Sequence, residues 1–226
     1  AWPSANVAPE TLALDPGRLA PKPGKPVALT INSSQITGAA GGEWCPYGLG
    51  GLGPELPTDQ RADDAFSLVF DGAPLEAPLE ILGAPTVTLE LTSDQPVAIV
   101  TLRLNDVAPD GQVTRVTYGV LNLTHRNGHA APEPLTPGKR TRVNKQLTAI
   151  GHRFLKGHRI RLAVSTAYWP IVWAAPVAVR LGVTAGLSTL SLPVRTPRAE
   201  DRNVVFGPPE KSPVTRRRVL QPGAVW

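Results

Sequence analysis

The side chains of this 226-residue chain with the most chemical reach are four histidines, a single cysteine and a scatter of carboxylates, and their spacing limits each of them. His125 and His129 are four apart, which on a helix would set both imidazoles on one face. Asn127-Gly128 between them is a turn signal and no Cys follows at zinc-finger spacing, so no metal site is expected there. His152 and His158 flank Arg153 and Lys156 and read as hydrogen-bonded or surface groups. Asp106 and Asp110-Gly111 lack the spacing of a calcium loop. Pro109-Asp110-Gly111 reads instead as a turn, in which Pro presets φ and Gly accepts a positive one. No serine, Ser165 and Ser188 included, sits in a GxSxG elbow. Cys45, followed by Pro46, has no sequence-local partner and reads as an inert or buried thiol.

Two aromatic-bearing segments remain. Residues 38–54 form a Gly-rich loop around Trp44 with neither a GxGxxG nor a GxxxxGK[ST] pattern, so a phosphate cradle is not expected. A loop of that length is either a plain surface connection or a contact surface for a ligand or partner. Tyr168, Trp169 and Trp173 cluster around Pro170 and are closed by Pro176. They suit a core corner, a docking patch or a sugar-stacking platform.

The elements that must position these groups are strands. Phe66, Leu68 and Phe70 share one face; so do Val87, Leu89 and Leu91, opposite Thr86, Thr88 and Glu90. Ala98, Val100, Leu102 and Leu104 form an inner face, opposite Val97, Ile99, Thr101 and Arg103. This period of two marks half-buried antiparallel strands. In the next strand the phase changes near Gly119, which suggests a β-bulge or a passage between sheets there. Further strands are expected over 11–14, 27–31, 140–150, 153–156, 160–166, 177–183, 190–194 and 214–220. No stretch carries a sustained helical stripe. The expected fold is all-β, a β-sandwich of roughly eight to ten strands. It forms one domain over 1–226: an irregular lead-in over 1–65, the sandwich core over 66–194, and a Pro-rich basic tail over 195–226 that returns to the sandwich.

Composition agrees. The 25 Pro and 21 Gly lie between apolar runs, as turns between short strands require. No apolar run is long enough to span a bilayer, so no membrane partner is expected. The net charge of +5 conceals a reversal, with acidic residues dominant up to His125 and Glu133 the one acidic residue among the many basic ones of 126–161. Neither a basic helix nor a stacking platform accompanies that charge, so nucleic acid is not an expected partner. The single cysteine excludes an intrachain disulfide and leaves the compartment open. The chain contains no Met, which points to an excised domain or a processed start.

A family resemblance adds to this. Phe70-Asp71, Ala73-Pro74-Leu75, Leu82-Gly83, Pro85 and Ser93-Asp94 come first, followed by the run 103–107 and Pro109-Asp110-Gly111. Gly119, Leu121, Thr124-His125-Arg126, Gly157-His158-Arg159-Ile160, Pro170, Trp173 and Pro176 continue the order. Together they resemble the C-terminal domain of X-prolyl dipeptidyl peptidases, which cocaine esterase and the α-amino-acid ester hydrolases share; Trp2-Pro3 resembles the entry into it. The resemblance implies a jelly-roll sandwich, galactose-binding-domain-like, that follows an α/β-hydrolase domain carrying a Ser-Asp-His triad. It implies that the domain packs on that hydrolase and shapes its active site without catalysing. All three triad residues would then precede Ala1, and no catalytic residue, metal or cofactor is expected in this chain. The expected partner is the catalytic domain of the same parent protein, with a homo-oligomer as a further option. Trp44, Tyr168, Trp169 and Trp173 are the expected interface residues. The alternative is a carbohydrate-binding module acting through a loop-end site.

Overall fold

Along residues 86–93 every second side chain is buried: Val87, Leu89 and Leu91 have no exposed surface, and the Thr and Glu side chains between them are half-buried. That alternation recurs through an all-β fold. The computed structural model describes residues 4–43, 56–203 and 205–208, so Trp44, Cys45, most of the Gly-rich loop and the expected 214–220 strand lie outside the described residues. The chain divides into two compact units, Ala1–Thr196 and Pro197–Trp226. In the second, the described residues form a 3₁₀ turn at Ala199–Asn203, preceded by an Arg198 N–H that donates to Asp201 Oδ2 at 2.8 Å.

Among the described residues the first unit holds thirteen strands. They are β1 (Val7–Asp15), β2 (Arg18–Ala20), β3 (Val27–Ile31), β4 (Leu68–Asp71), β5 (Leu79–Gly83), β6 (Thr86–Ser93) and β7 (Ile99–Val107). After these come β8 (Val113–Asn122), β9 (Thr141–Gln146), β10 (Ile150–Phe154), β11 (Arg159–Ser165), β12 (Leu181–Ala185) and β13 (Thr189–Arg195). In one layer β5 and β6 form a near-continuous line, with β10 and β9 on one side and β13 and β12 on the other. Beyond them β1 pairs with β13 and β3 with β12. The other layer runs β4, β11, β7, β8, all antiparallel. A tight turn from β1 into β2, with one parallel pair between Arg18 and Asp71, joins the two layers at an edge. From β4 onward the chain passes from layer to layer with each strand or strand pair, which is the winding of a jelly roll.

Leu89 and Leu91 from the first layer meet Leu102, Leu104, Leu162 and Phe70 from the second in one core. Each of these side chains is at most 1% exposed, and burying one such leucine is worth roughly 1.5–3 kcal/mol.

Four local expectations need correction. All nine residues of β7 are buried, so the face carrying Thr101 and Arg103 is not exposed. Residues 59–67 supply its cover, with Gln60, Asp64 and Ser67 reaching Arg103. The irregularity in β8 falls at Val116, between the pairs Leu104–Thr117 and Asn105–Arg115, and not at Gly119. Gly119 has a different role: a Cβ there would stand 2.9 Å from Leu147 Cδ2, so glycine lets the link between β9 and β10 cross close over β8. That link breaks the expected 140–150 strand, because Leu147 N–H turns to the Pro85 carbonyl and Thr148 N–H to that of Tyr118. Val177 lies outside any strand and is 52% exposed; the regular strand starts at Leu181.

Candidate functional site

Where β11 ends, the chain is pinned to the lead-in. Thr166 N–H donates to Ser33 Oγ at 2.9 Å, and Ser33 N–H returns a bond to Thr166 Oγ1 at 3.0 Å. Trp169 N–H then donates to the Thr37 carbonyl at 2.7 Å, and Val172 N–H closes a turn on the Tyr168 carbonyl. The Trp169–Pro170 peptide is cis. This corner therefore lies directly against the first residues of the Gly-rich loop. Gly38 has φ +112°, and a Cβ there would meet the Trp169 carbonyl oxygen at 2.5 Å. Only glycine fits on both counts.

The stem of the loop is held from three sides. Asp63 accepts from Gly38 N–H at 2.8 Å and from Ala40 N–H at 3.1 Å. Gln60 donates through Nε2 to the carbonyls of Ala40 and Thr58, both at 2.7 Å, which ties the two arms of the loop to each other. From β8, Arg115 donates to the Gly41 carbonyl at 2.8 Å and to the hydroxyl of Tyr168. Its guanidinium lies 4.6 Å above the Tyr118 ring, a cation–π contact. Tyr168 is fully buried; that burial pushes its phenol above the ordinary value, so the hydroxyl stays neutral and accepts from Arg115.

Beneath the stem runs an ionic network that spacing alone did not reveal. Arg103, with no exposed surface, meets Asp64 Oδ1 at 3.1 Å and donates to Ser67 Oγ at 2.8 Å. Arg161 reaches the other Asp64 oxygen at 2.9 Å and grips Asp71 with two bonds, at 2.6 and 2.7 Å. Burial pushes the Asp64 carboxyl above its ordinary range, against the pull of both guanidinium groups. Arg161 is raised well above the ordinary arginine value, first by its hydrogen bonds to Asp71. An arginine inside an otherwise apolar alternating strand, with Asp63-Asp64 earlier in the chain, was the signal available for this network.

What faces outward is apolar. Trp173 is 82% exposed and Trp169 41%, their rings packed edge to face at 5.4 Å and 63°. Ile36, one residue before the Thr37 carbonyl that holds Trp169, is exposed as well. Val177, also exposed, lines a small cleft with Gln35 and Ala174. Next to the corner, a cleft of about 280 Å³ is lined by Tyr118, Lys145, Leu147, Ile171 and Val172. Tilted by 63°, the two tryptophan rings share no common plane.

The other candidates are structural or separate. Asp106 accepts from His152 Nε2 at 3.0 Å and from His158 Nδ1 at 2.8 Å, and so ties β7 to β10 and to the turn that leads into β11. Burial raises the Asp106 carboxyl, but the two histidine bonds outweigh it and hold the group below its ordinary range. Ser165 and Ser188 donate their hydroxyls to the carbonyls of Ala167 and Thr184, and both are buried. Among the described residues no group of three or more His, Cys, Asp or Glu is arranged to hold a metal ion. No helix among them is long and apolar enough to cross a membrane.

With that geometry in view, the comparisons with known proteins converge. A family model described as the X-Pro dipeptidyl-peptidase C-terminal non-catalytic domain matches residues 1–208. The chain is 34% identical over 126 residues to a Mycobacterium bovis protein whose name includes the words serine esterase, covering 48% of this chain and 20% of that protein. It is 30% identical over 120 residues to the cocaine esterase of a Rhodococcus species, covering 52% of this chain and 21% of the esterase. The crystal structure of an aminopeptidase from a marine sediment archaeon matches 87% of this chain and 38% of its own, with a TM-score of 0.70 at 20% identity. An α-amino acid ester hydrolase matches 82% of this chain with a TM-score of 0.64 at 23% identity. Likeness at such identities shows the fold, a β-sandwich.

Proposed function

The chain belongs to the family of X-Pro dipeptidyl-peptidase C-terminal non-catalytic domains, and from that we propose that it is the C-terminal β-sandwich of a serine hydrolase, packed on the α/β-hydrolase domain of the same parent protein. The contact runs through Trp169, Trp173 and the Gly-rich loop that contains Trp44, and it helps shape the active site of the hydrolase. The observation that carries this reading is the pair of exposed tryptophans on a rigidly braced corner. Exposed aromatic residues in one apolar patch mark an interaction surface, and aromatic anchors of this kind dominate interface energetics. The bracing matters as much as the exposure. The Asp63, Gln60 and Arg115 bonds fix the loop stem and corner before docking, so little conformational entropy is lost on association.

The parent would cleave an acyl bond, of a peptide or an ester, through an acyl-enzyme on its own nucleophile. The chain contributes shape and shielding to that reaction. The test compares the isolated chain with the same chain joined to its hydrolase domain, assayed on a nitrophenyl ester and on Ala-Pro-nitroanilide. The expected result is no turnover by the isolated chain, and lowered turnover by the joined protein when Trp169 and Trp173 are replaced by alanine. Turnover by the clean isolated chain, or a joined protein indifferent to both replacements, would overturn the reading.

A further inference from the structure

Four-residue spacing without a helix argues against a metal at His125 and His129, yet the fold brings the two rings together by another route. β8 ends at Asn122, whose side chain accepts from Thr124 N–H at 3.1 Å and so starts a 3₁₀ turn over Leu123–His125. Leu123 is fully buried and anchors this turn to the sheet through a bond from its N–H to the Ala98 carbonyl. Gly128 N–H then closes a second turn on the His125 carbonyl, with Gly128 at φ +135°. The chain doubles back, and His129 Nδ1 comes to 3.1 Å from His125 Nδ1, with ring centroids 5.1 Å apart.

The loop is braced around this pair. Arg126 donates to the carbonyls of Leu123 and Glu133, and the Glu133 carboxylate takes bonds from Arg126 Nη2 at 3.2 Å and Asn127 Nδ2 at 2.9 Å. Glu133 N–H donates in turn to the Thr124 carbonyl at 2.8 Å. The two facing nitrogens therefore sit on a cross-linked turn, with His125 half-buried and His129 exposed.

Two ring nitrogens of the same kind can share one proton or one metal ion. Two imidazoles bound to one ion at 2.0–2.1 Å in tetrahedral geometry stand roughly 3.3 Å apart, and in adjacent square-planar positions about 2.9 Å. The observed 3.1 Å lies between these values. We propose that His125 and His129 form a two-nitrogen chelate for a late first-row divalent ion, with water in the remaining coordination positions. Neutral imidazole ligands favour Cu(II), Ni(II) or Zn(II) and disfavour Ca(II) and Mg(II), which take hard oxygen ligands. Metal and proton compete for the same ring nitrogens, so binding weakens with falling pH.

The test is isothermal titration of Ni(II) into the tag-free full chain at pH 7.5, with Mg(II) as the control, repeated on His125→Asn and His129→Asn. The expected result is one saturable Ni(II) site with a Kd on the order of 10 µM, weakened at least ~tenfold by each replacement and absent for Mg(II). Neither side chain is fully buried, His129 being exposed and His125 half-buried, so circular dichroism of the two variants should match the parent chain. Absence of saturable binding up to millimolar Ni(II), or binding that survives both replacements, would overturn the proposal.

Discussion

Asp64 Oδ1 and Arg103 Nη2 meet at 3.1 Å with side-chain exposures of 6% and 0%, joining the segment before β4 to the centre of β7. This contact turns the outer face of the second layer into a second interior. It also carries, through the adjacent Asp63, the stem of the Gly-rich loop. Removing one partner of such a pair strands the other charge away from water. Asp64→Ala should therefore destabilise the fold by about 3–5 kcal/mol, read as a fall in the urea midpoint. Ser67→Ala, which removes one neutral acceptor from Arg103, should cost only about 1 kcal/mol and keeps the comparison available if the first variant fails to fold.

The tie between layers at Asp106 predicts an acid limb in the stability profile. Its carboxyl is held below the ordinary range in the folded chain, so the stability it supplies is present above the unfolded value of about 3.9 and is lost as pH falls through the lower folded value. Urea midpoints measured from pH 6 down to pH 2.5 should decline across that window. The decline should be shallower in Asp106→Asn, and an unchanged slope would contradict the assignment.

Gly38→Ala combines a positive φ with a backbone contact 2.5 Å from the new methyl. The contact is with a carbonyl oxygen and not a flexible side-chain end, so the corner must move. The variant should lose roughly 1–3 kcal/mol, and its tryptophan emission should change because Trp169 shifts with its carbonyl. Gly17→Ala, where a new Cβ meets nothing within 4 Å, separates strain at φ from the steric term.

Trp173→Ala should leave the isolated chain as stable as before, within about 0.5 kcal/mol, because a side chain 82% exposed contributes little to the core. Its effect should appear only when the hydrolase domain is present. A large loss of stability in the isolated chain would place Trp173 in the core and remove it from the docking face.

How much of this the residues announced depends on what kind of interaction each one makes. The alternation of Val87, Leu89 and Leu91 with polar neighbours disclosed a half-buried strand because burial on a sheet follows the period of the side chains. Arg103 broke the same rule: read as a polar residue it belonged outside, but residues 59–67 cover that face and supply Asp64. Such cover depends on contacts some forty residues apart in sequence, which no local period records. Gly119 signalled a special position correctly, yet the reason was close packing against Leu147 and not a change of register. Of the aromatic corner, Tyr168 is an internal post for Arg115, whereas Trp169 and Trp173 reach the surface. Residue type alone could not divide them.

The central claim is that one face of the sandwich, the corner with Trp169 and Trp173 beside the loop stem, rests on a hydrolase domain. Amide hydrogen exchange of the isolated chain, compared with the chain joined to its hydrolase domain, tests this most directly. The account predicts added protection concentrated in peptides covering residues 36–43 and 168–177, with the β3 edge and the β12 end of the first layer unchanged. Added protection at that β3 edge with none at the corner would contradict it.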